Sequence, residues 1–293
     1  MKIFIYARPR DYMSSESLKD LKQIADESGL DYSVNEAYAA MLRDSVGVDI
    51  ASYTEITEKD LDSGSIMMSI GGDGTFLETV QLLKGLPMPI VGVNTGRLGF
   101  LTAISPQNLR EGLEKIKRSE YSIERRPMIC VEGDFGTEVD FPCALNEFTI
   151  HRHNASMVEV TVCADGQLIS VVRGDGVIAA TPTGSTAYSL SAGGPVVSPE
   201  CECFVLTALA PHNFTMRPLV LPDTSEVSME ISSRGRDVSV SIDNKSYVVA
   251  DGSRFVVRKS KFSTFLIHPQ NISFYDTLRN KMMWGVDKRD PAI

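Results

Sequence analysis

The residues of this chain most suited to chemistry are Gly71-Gly72-Asp73-Gly74-Thr75. Three glycines allow backbone angles that other residues avoid, and they let a ligand come close to the main chain. Backbone N–H groups at the start of a helix suit a phosphate. One carboxylate, Asp73, stands in the middle. A carboxylate repels phosphate, so a cradle for phosphate alone has no use for it. It makes sense as a group that handles a proton or faces something other than the phosphate. No Gly-Lys-Ser/Thr follows, so the stretch is not a Walker A loop.

The flanking residues supply the frame. Residues 65–70 are short and apolar, like a buried strand, and Phe76, Val80 and Leu83 recur at the spacing of one helical face. The five residues therefore join a strand to a helix. Ligands of open α/β sheets bind at the carboxyl ends of such strands. Residues 3–6, 32–34 and 89–93 read as further strands. Residues 17–28 read as a helix with Leu18, Leu21, Ile24 and Ala25 on one side, stopped at Gly29. The stretch 92–99 forms a second loop at the same sheet edge. Alternating strands and helices imply a parallel sheet with helices on its faces.

Residues 106–118 fit a helix with Leu109, Leu113 and Ile116 aligned. From about residue 121 to 267 the pattern changes to short β-rich runs, at 144–150, 158–162, 168–172, 177–180, 227–231, 238–242 and 255–258. Asp165-Gly166, Arg234-Gly235 and Asp251-Gly252 are turn signals between them. Residues 276–284 return to helical character. The fold class read from this is α/β plus β, with a Rossmann-like N-terminal domain and a β-sandwich-like C-terminal domain. The first spans 1–103, joined by the C-terminal segment 272–293, and the second spans 104–271.

A length of 293 residues suits two ordinary domains, and 43% hydrophobic residues suffice for real cores. Lys plus Arg is 29 against 38 Asp plus Glu, a net charge of −9. That balance argues against nucleic-acid or anionic-membrane binding, while leaving room for a small anion at a local basic site. Cys130, Cys143, Cys163, Cys201 and Cys203 are odd in number and contain no Cys-x-x-Cys pair. Cys201-x-Cys203 lacks the partners of a zinc site, so buried or idle thiols are expected. The four histidines show no metal-ligand spacing, and no protein-held metal is expected. Residues 1–6 have no signal-peptide layout and no apolar run reaches membrane length, so a soluble, cytoplasmic setting is expected.

Residues 173–195 form the second informative cluster. Gly174-x-Gly176-x-x-Ala179 matches a dinucleotide fingerprint, but Val177-Ile178-Ala179-Ala180 reads as a strand where the fingerprint needs a helix, and the match is rejected. Residues 181–191 pack hydroxyls, small side chains and Tyr188 into one irregular run. Small residues let a flat ring approach the backbone, and a tyrosine stacks on it. Asn146-Glu147 lies in a β-like run. A carboxylate accepts both hydroxyls of a ribose and an amide pairs with adenine, although such a pair alone reads as a solvated polar face.

These residues together resemble the NAD kinases: the turn at 71–75, Asn94-x-Gly96-Arg97-Leu98-Gly99-Phe100-Leu101, Asn146-Glu147, Gly174-Asp175-Gly176, Thr181-Pro182-Thr183-Gly184-Ser185-Thr186-Ala187-Tyr188, and Pro211-His212 with Arg217-Pro218-Leu219. The turn alone is shared with diacylglycerol kinase, sphingosine kinase and phosphofructokinase relatives. The 181–188 string is far more specific. The resemblance implies a phosphofructokinase- and diacylglycerol-kinase-like first domain. It implies phosphoryl transfer from ATP with Mg²⁺, or another divalent cation, to the adenosine ribose 2′-hydroxyl of NAD, giving NADP. A homodimer or homotetramer is implied as well.

By the same resemblance Asp73 is the general base, and Gly72, Gly74 and Thr75 line the triphosphate. Asn146 takes the adenine and Glu147 the ribose. Asp175 holds the nicotinamide half, with Arg173 nearby. Thr186, Ala187, Tyr188 and Ser191 line the dinucleotide pocket, and Ala210 closes one wall. Glu78 departs from relatives that carry a basic or small residue there, which argues against phosphate binding at that position. Asp243-Asn244-Lys245 departs from a frequent Asp-Gly-Gln-like turn. The competing readings are a lipid kinase of the diacylglycerol-kinase type and a non-catalytic dinucleotide sensor.

Overall fold

A computed structural model of the chain describes residues 2–9, 23, 26–27, 29–61, 64–96, 99–269 and 273–283. The helix expected over 17–28 falls largely outside these residues, as do Arg97, Leu98 and Trp284. By internal contacts the chain divides into two compact units, Met1–Arg125 with Thr264–Ile293, and Arg126–Ser263.

The first unit is built on a parallel sheet. Its strands are β1 (Lys2–Ala7), β2 (Asp31–Asn35), β3 (Ser52–Tyr53), β4 (Ile66–Ile70) and β5 (Ile90–Val93). Spatial order is β5-β4-β1-β2-β3, and the end of a long later strand adds to β5 through Leu266 opposite Ile90. β4 lies between β1 and β5, with Met68 opposite both Ile5 and Val91. All five of its residues are buried, as a parallel strand covered on both faces requires. Three helices of this unit are α1 (Glu36–Val46), α2 (Asp73–Leu83) and α3 (Leu109–Lys117). α1 was not read from sequence, yet Tyr38, Ala39 and Leu42 bury one of its faces, and Gly47 ends it in the left-handed region.

The helix expected over 106–118 is a short 3₁₀ turn, Pro106–Asn108, followed by α3. Its Leu109, Leu113 and Ile116 share a core with Ile3, Ile5, Val34, Met68 and Val91. That packing places the helix in the first unit, whereas a boundary at 103/104 assigns it to the second.

The second unit is a sandwich of two sheets. Its strands are β6 (Ser122–Gly133), β7 (Cys143–Ala144), β8 (Glu147–Arg152), β9 (Val158–Ala164), β10 (Gln167–Gly174), β11 (Gly176–Ala180), β12 (Cys203–Leu209), β13 (Leu219–Pro222), β14 (Val227–Ser232), β15 (Val238–Ile242), β16 (Lys245–Val249) and β17 (Arg254–His268). One sheet runs β10-β9-β14-β17, with β6 on β17 and β7 on β6, and the other runs β13-β12-β11-β8-β15-β16. Val160, Val162, Met229 and Phe255 of the first sheet meet Phe148, Ile150, Val177 and Val240 of the second in one buried cluster. Gly176–Ala180 is a strand, so the rejected dinucleotide fingerprint has no helix behind it. The cysteine expectation needs correction at two positions. Cys130 and Cys143 stand opposite each other on β6 and β7 and form a disulfide, because the register brings their sulfurs together. Cys163, Cys201 and Cys203 are free.

Candidate active site

In the first unit the glycine turn is tighter than its sequence suggests. Gly71 has φ 152°, and its N–H donates to the Val93 carbonyl at 2.9 Å. Gly72 is the N-cap in extended conformation, and α2 begins at Asp73. Asp73, Gly74 and Thr75 are therefore helical, not part of the loop. The start of a helix is where a carboxylate is electrostatically favoured. Thr75 is buried, and Phe76 anchors the helix with no exposed surface.

Asp73 is held from a second loop. A side chain at Gly92 would meet the Leu101 carbonyl at 2.7 Å, so the absence of one lets residues 101–102 lie on β5. The Ala103 and Ile104 N–H groups both donate to the Gly92 carbonyl. Gly99 then passes against the Asp73 carboxylate, in space that a Cβ would occupy. The Phe100 N–H donates to Asp73 Oδ2 at 3.0 Å and the Leu101 N–H to Oδ1 at 3.1 Å. Lys281 Nζ lies 3.3 Å from the same Oδ2. The carboxylate thus has fixed aim, with about a third of its surface open.

Glu78, one turn further along α2, binds a cation instead of a phosphate. Arg8 Nε donates to Glu78 Oε2 at 2.7 Å, and Arg8 Nη2 pairs with Oε1 at 2.7 Å. The Tyr6 hydroxyl donates to the same carboxylate. This fork holds the Arg8 guanidinium beside the turn, with Nη2 3.2 Å from the Gly74 carbonyl. An acid in the helix therefore brings a basic group to the glycine turn.

In the second unit, Asn146 and Glu147 lead into β8 and both are buried. Their backbone is gripped by Asp243 in the hairpin between β15 and β16. Its Oδ2 accepts from the Leu145 N–H, and its Oδ1 from the Asn146 and Glu147 N–H groups, at 2.8–3.1 Å. Burial pushes the Asp243 carboxyl up to about 6 despite these three donors. Glu147 is pushed up to about 8, first by burial and then by the charge of Asp243, with the Tyr188 N–H acting in the opposite sense. Glu147 Oε2 is buried with no hydrogen-bond partner within the protein, a state that costs free energy until something donates to it.

The 181–191 run wraps over this strand. The Thr181 hydroxyl donates to the Leu145 carbonyl at 2.6 Å, and the Thr181 N–H to the Asn146 carbonyl. Gly184 lies so close to the Asn146 backbone that a side chain would overlap it. The run is more regular than expected. Gly184–Thr186 is a 3₁₀ turn and Tyr188–Ser191 a single helical turn, α4. Thr186 donates to the Thr183 carbonyl, Ala187 links the two turns, and Tyr188 and Ser191 are exposed. The structure thus brings Tyr188 to Glu147 through its N–H and Gly184 onto the Asn146 backbone, with Thr186 and Ala187 in the turn between them.

Asp175 joins β10 to β11 and pairs with Arg152 Nε at 2.7 Å. Arg173, two residues away, turns to Glu159 instead. Ala210 follows β12 at φ 41°, and its carbonyl leaves no room for a side chain at Gly174. Lys245 opens β16 at the surface. Four features escaped the sequence reading: Arg8, the Phe100 and Leu101 amides, Asp243 and Lys281. Glu78 and the 243–245 turn were noted as departures, and Phe100 and Leu101 stood in the 94–101 motif with no role given to their amides, whereas Arg8 and Lys281 carried no local signal of their own.

A glycine-flanked acid on a parallel-sheet domain, with buried polar groups under a hydroxyl-rich turn in a β-sandwich, defines a kinase of the two-domain nucleotide-binding class. The family model described as the ATP-NAD kinase N-terminal domain matches residues 8–121, and that of the ATP-NAD kinase C-terminal domain matches 145–269. The chain belongs to the NAD kinase family. It is 34% identical to the NAD kinase of Bacteroides fragilis, over 99% of this chain and 100% of that one. Identity to the NAD kinase of Flavobacterium psychrophilum is also 34%, over 99% and 100%. Among solved structures, an NAD kinase from Archaeoglobus fulgidus in complex with ATP is 29% identical, with a TM-score of 0.75 over 97% of this chain and 99% of that one. Yeast NADH kinase complexed with NADH shares the fold at 22% identity, with a TM-score of 0.82 over 98% and 88%.

Proposed function

We infer that this kinase transfers the γ-phosphoryl group of ATP to the adenosine ribose 2′-hydroxyl of NAD, producing NADP. The observation that carries the assignment of roles is the aim of Asp73, fixed by two backbone N–H groups and a lysine at the start of α2. A sugar hydroxyl is a weak nucleophile, and phosphoryl transfer depends on alignment and charge stabilisation. Asp73 orients the hydroxyl and takes its proton. Gly72, Gly74 and Thr75 line the triphosphate, with Arg8 beside them. Asn146 takes the adenine, and the ribose gives Glu147 Oε2 the donor it lacks. Asp175, with Arg173 nearby, serves the nicotinamide half, and Thr186, Ala187, Tyr188, Ser191 and Ala210 line the pocket.

No cluster of three or more His, Cys, Asp or Glu among the described residues could hold a metal ion. This donor set fits a Mg²⁺ ion that arrives with ATP, because Mg²⁺ is held mainly by phosphates and water with one or two carboxylates. Such an ion neutralises charge on the β- and γ-phosphates. The described residues contain no helix long and apolar enough to cross a membrane, and we place the enzyme in the cytoplasm with its two soluble substrates. We also assign it a homodimer or homotetramer. Apolar side chains at Leu168, Ile169, Leu219 and Val220 are exposed on β10 and β13, which end their sheets, and Phe214 is 92% exposed nearby in the chain. The relatives are NAD kinases, so the lipid-kinase and sensor readings are not favoured.

An NADP-formation assay tests the reading with ATP, other triphosphates and polyphosphate as donors and with NAD and NADH as acceptors. NADP from ATP and NAD is expected. Turnover of diacylglycerol, or none with either dinucleotide, would overturn it.

A further inference from the structure

We propose that Lys281 belongs to the phosphoryl-transfer centre, pairing with Asp73 in the resting enzyme and with the phosphoryl group in transit. The proposal rests on the kinase reading given above. Lys281 lies on α5 (Phe274–Met282), whose start is fixed by a reciprocal cap. The Ser273 hydroxyl accepts from the Asp276 N–H, and the Asp276 carboxylate accepts from the Ser273 N–H. Leu278 is the buried residue of this helix, and Lys281 follows it three positions on, along the same face. The face that packs is thus the face that delivers the ammonium.

Two partners hold that ammonium. Asp73 Oδ2 is 3.3 Å from Nζ, and the Phe100 ring centroid is 4.2 Å away. Phe100 therefore serves the centre twice, since its N–H donates to the same Oδ2. Lys281 and Asp73 are each about one-third exposed, and an ion pair of that exposure adds little to stability. Its placement has a better reason in chemistry. Two N–H groups and an ammonium together fix the aim of this carboxylate before the substrates arrive. The transition state of phosphoryl transfer spreads negative charge over three equatorial oxygens. A lysine carries three donors on a flexible stem, so Nζ can turn toward those oxygens as that charge develops. Its release uncovers Asp73 Oδ2 for the hydroxyl proton as that proton comes off.

The step balances. The 2′-oxygen forms its bond to the γ-phosphorus while the bond from that phosphorus to the bridging oxygen of ADP breaks. The hydroxyl proton passes to Asp73, and Lys281 keeps its own protons throughout.

The test is Lys281→Ala in the full chain, with Lys281→Arg beside it, assayed with ATP, Mg²⁺ and NAD. The expected result is a kcat roughly 30-fold or more below wild type, with KM for both substrates within about threefold. Added ethylamine is expected to restore part of the lost kcat in a saturable way, an effect that a merely structural lysine does not show. Lys281→Arg is expected to keep more activity than the alanine variant. A kcat within about threefold of wild type, or a loss that ethylamine leaves unchanged, overturns the proposal. A wild-type protein that makes no NADP would sink the kinase reading and this inference with it. An active wild type with an active Lys281→Ala variant sinks this inference alone.

Discussion

Gly99→Ala is a steric test of the catalytic assignment made without touching the carboxylate. A Cβ at Gly99 would lie 2.9 Å from Asp73 Oδ2 and closer still to Oδ1 and Cγ. The obstructed atoms are the far end of a short side chain, so Asp73 swings aside while the backbone stays. In doing so it forfeits the Phe100 and Leu101 N–H bonds at 3.0 and 3.1 Å. Hydrogen bonds to a charged acceptor are worth about 1.5–3 kcal/mol each when buried. This carboxylate is about one-third exposed, so water replaces most of that and the net loss of stability is about 1–2 kcal/mol. Turnover is hit much harder. General-base help is worth ~10²–10⁴-fold, and a misplacement of about 1 Å alone costs ~10²-fold. We expect kcat to fall by ~10²–10³-fold, with KM for NAD changed by less than about threefold. Gly96→Ala is the control, because a Cβ there meets nothing within 4 Å. Steady-state NADP formation and urea unfolding of both variants give the answer. Full turnover in Gly99→Ala at ordinary stability would show that the observed pose of Asp73 is irrelevant to catalysis.

Two further predictions concern the second unit. Glu147 has its folded pKa raised to about 8 from 4.5, so the stability it contributes is complete below its unfolded value and is lost as pH rises through about 8. Above about pH 6 Asp243 has titrated, and Glu147 alone should lower the unfolding free energy by about 1.4 kcal/mol per pH unit. Urea titrations from about pH 6 to 8 should show that slope in wild type and its loss in Glu147→Gln; parallel curves would refute it. Asp243→Ala strips the acceptor from three N–H groups, at about 1–3 kcal/mol each, partly offset by relief of a buried charge. A net destabilisation of about 3 kcal/mol at neutral pH and weaker NAD binding by calorimetry are expected. A variant as stable as wild type would show that Asp243 does not set the Asn146–Glu147 backbone.

Local pattern carried the frame of this protein but not its closures. The strand before the turn was legible because β4 is buried on both faces and its sequence is apolar except at Ser69. The helix after it was legible because Phe76, Val80 and Leu83 repeat at one face. The 181–191 run was legible by composition alone, since its tight packing on Asn146 demands small residues. Helix α1 was passed over although Tyr38 and Leu42 carry its buried stripe. The partners of Asp73 and Glu78 were invisible for a different reason. Lys281 lies 208 positions from Asp73, and Arg8 lies 70 from Glu78. No periodicity in a window of a dozen residues reports such pairs. The Cys130–Cys143 bond likewise depends on strand register, which spacing in the sequence does not disclose.

Asp73→Asn is the most direct measurement of all. The amide keeps the shape of the side chain and can still accept from a backbone N–H, but it cannot take a proton from the ribose. Single-turnover transfer from ATP to NAD should slow by ~10²–10⁴-fold, while NAD binds within about threefold of wild type. A variant that forms NADP at the wild-type rate would contradict the central claim that this carboxylate handles the 2′-hydroxyl proton.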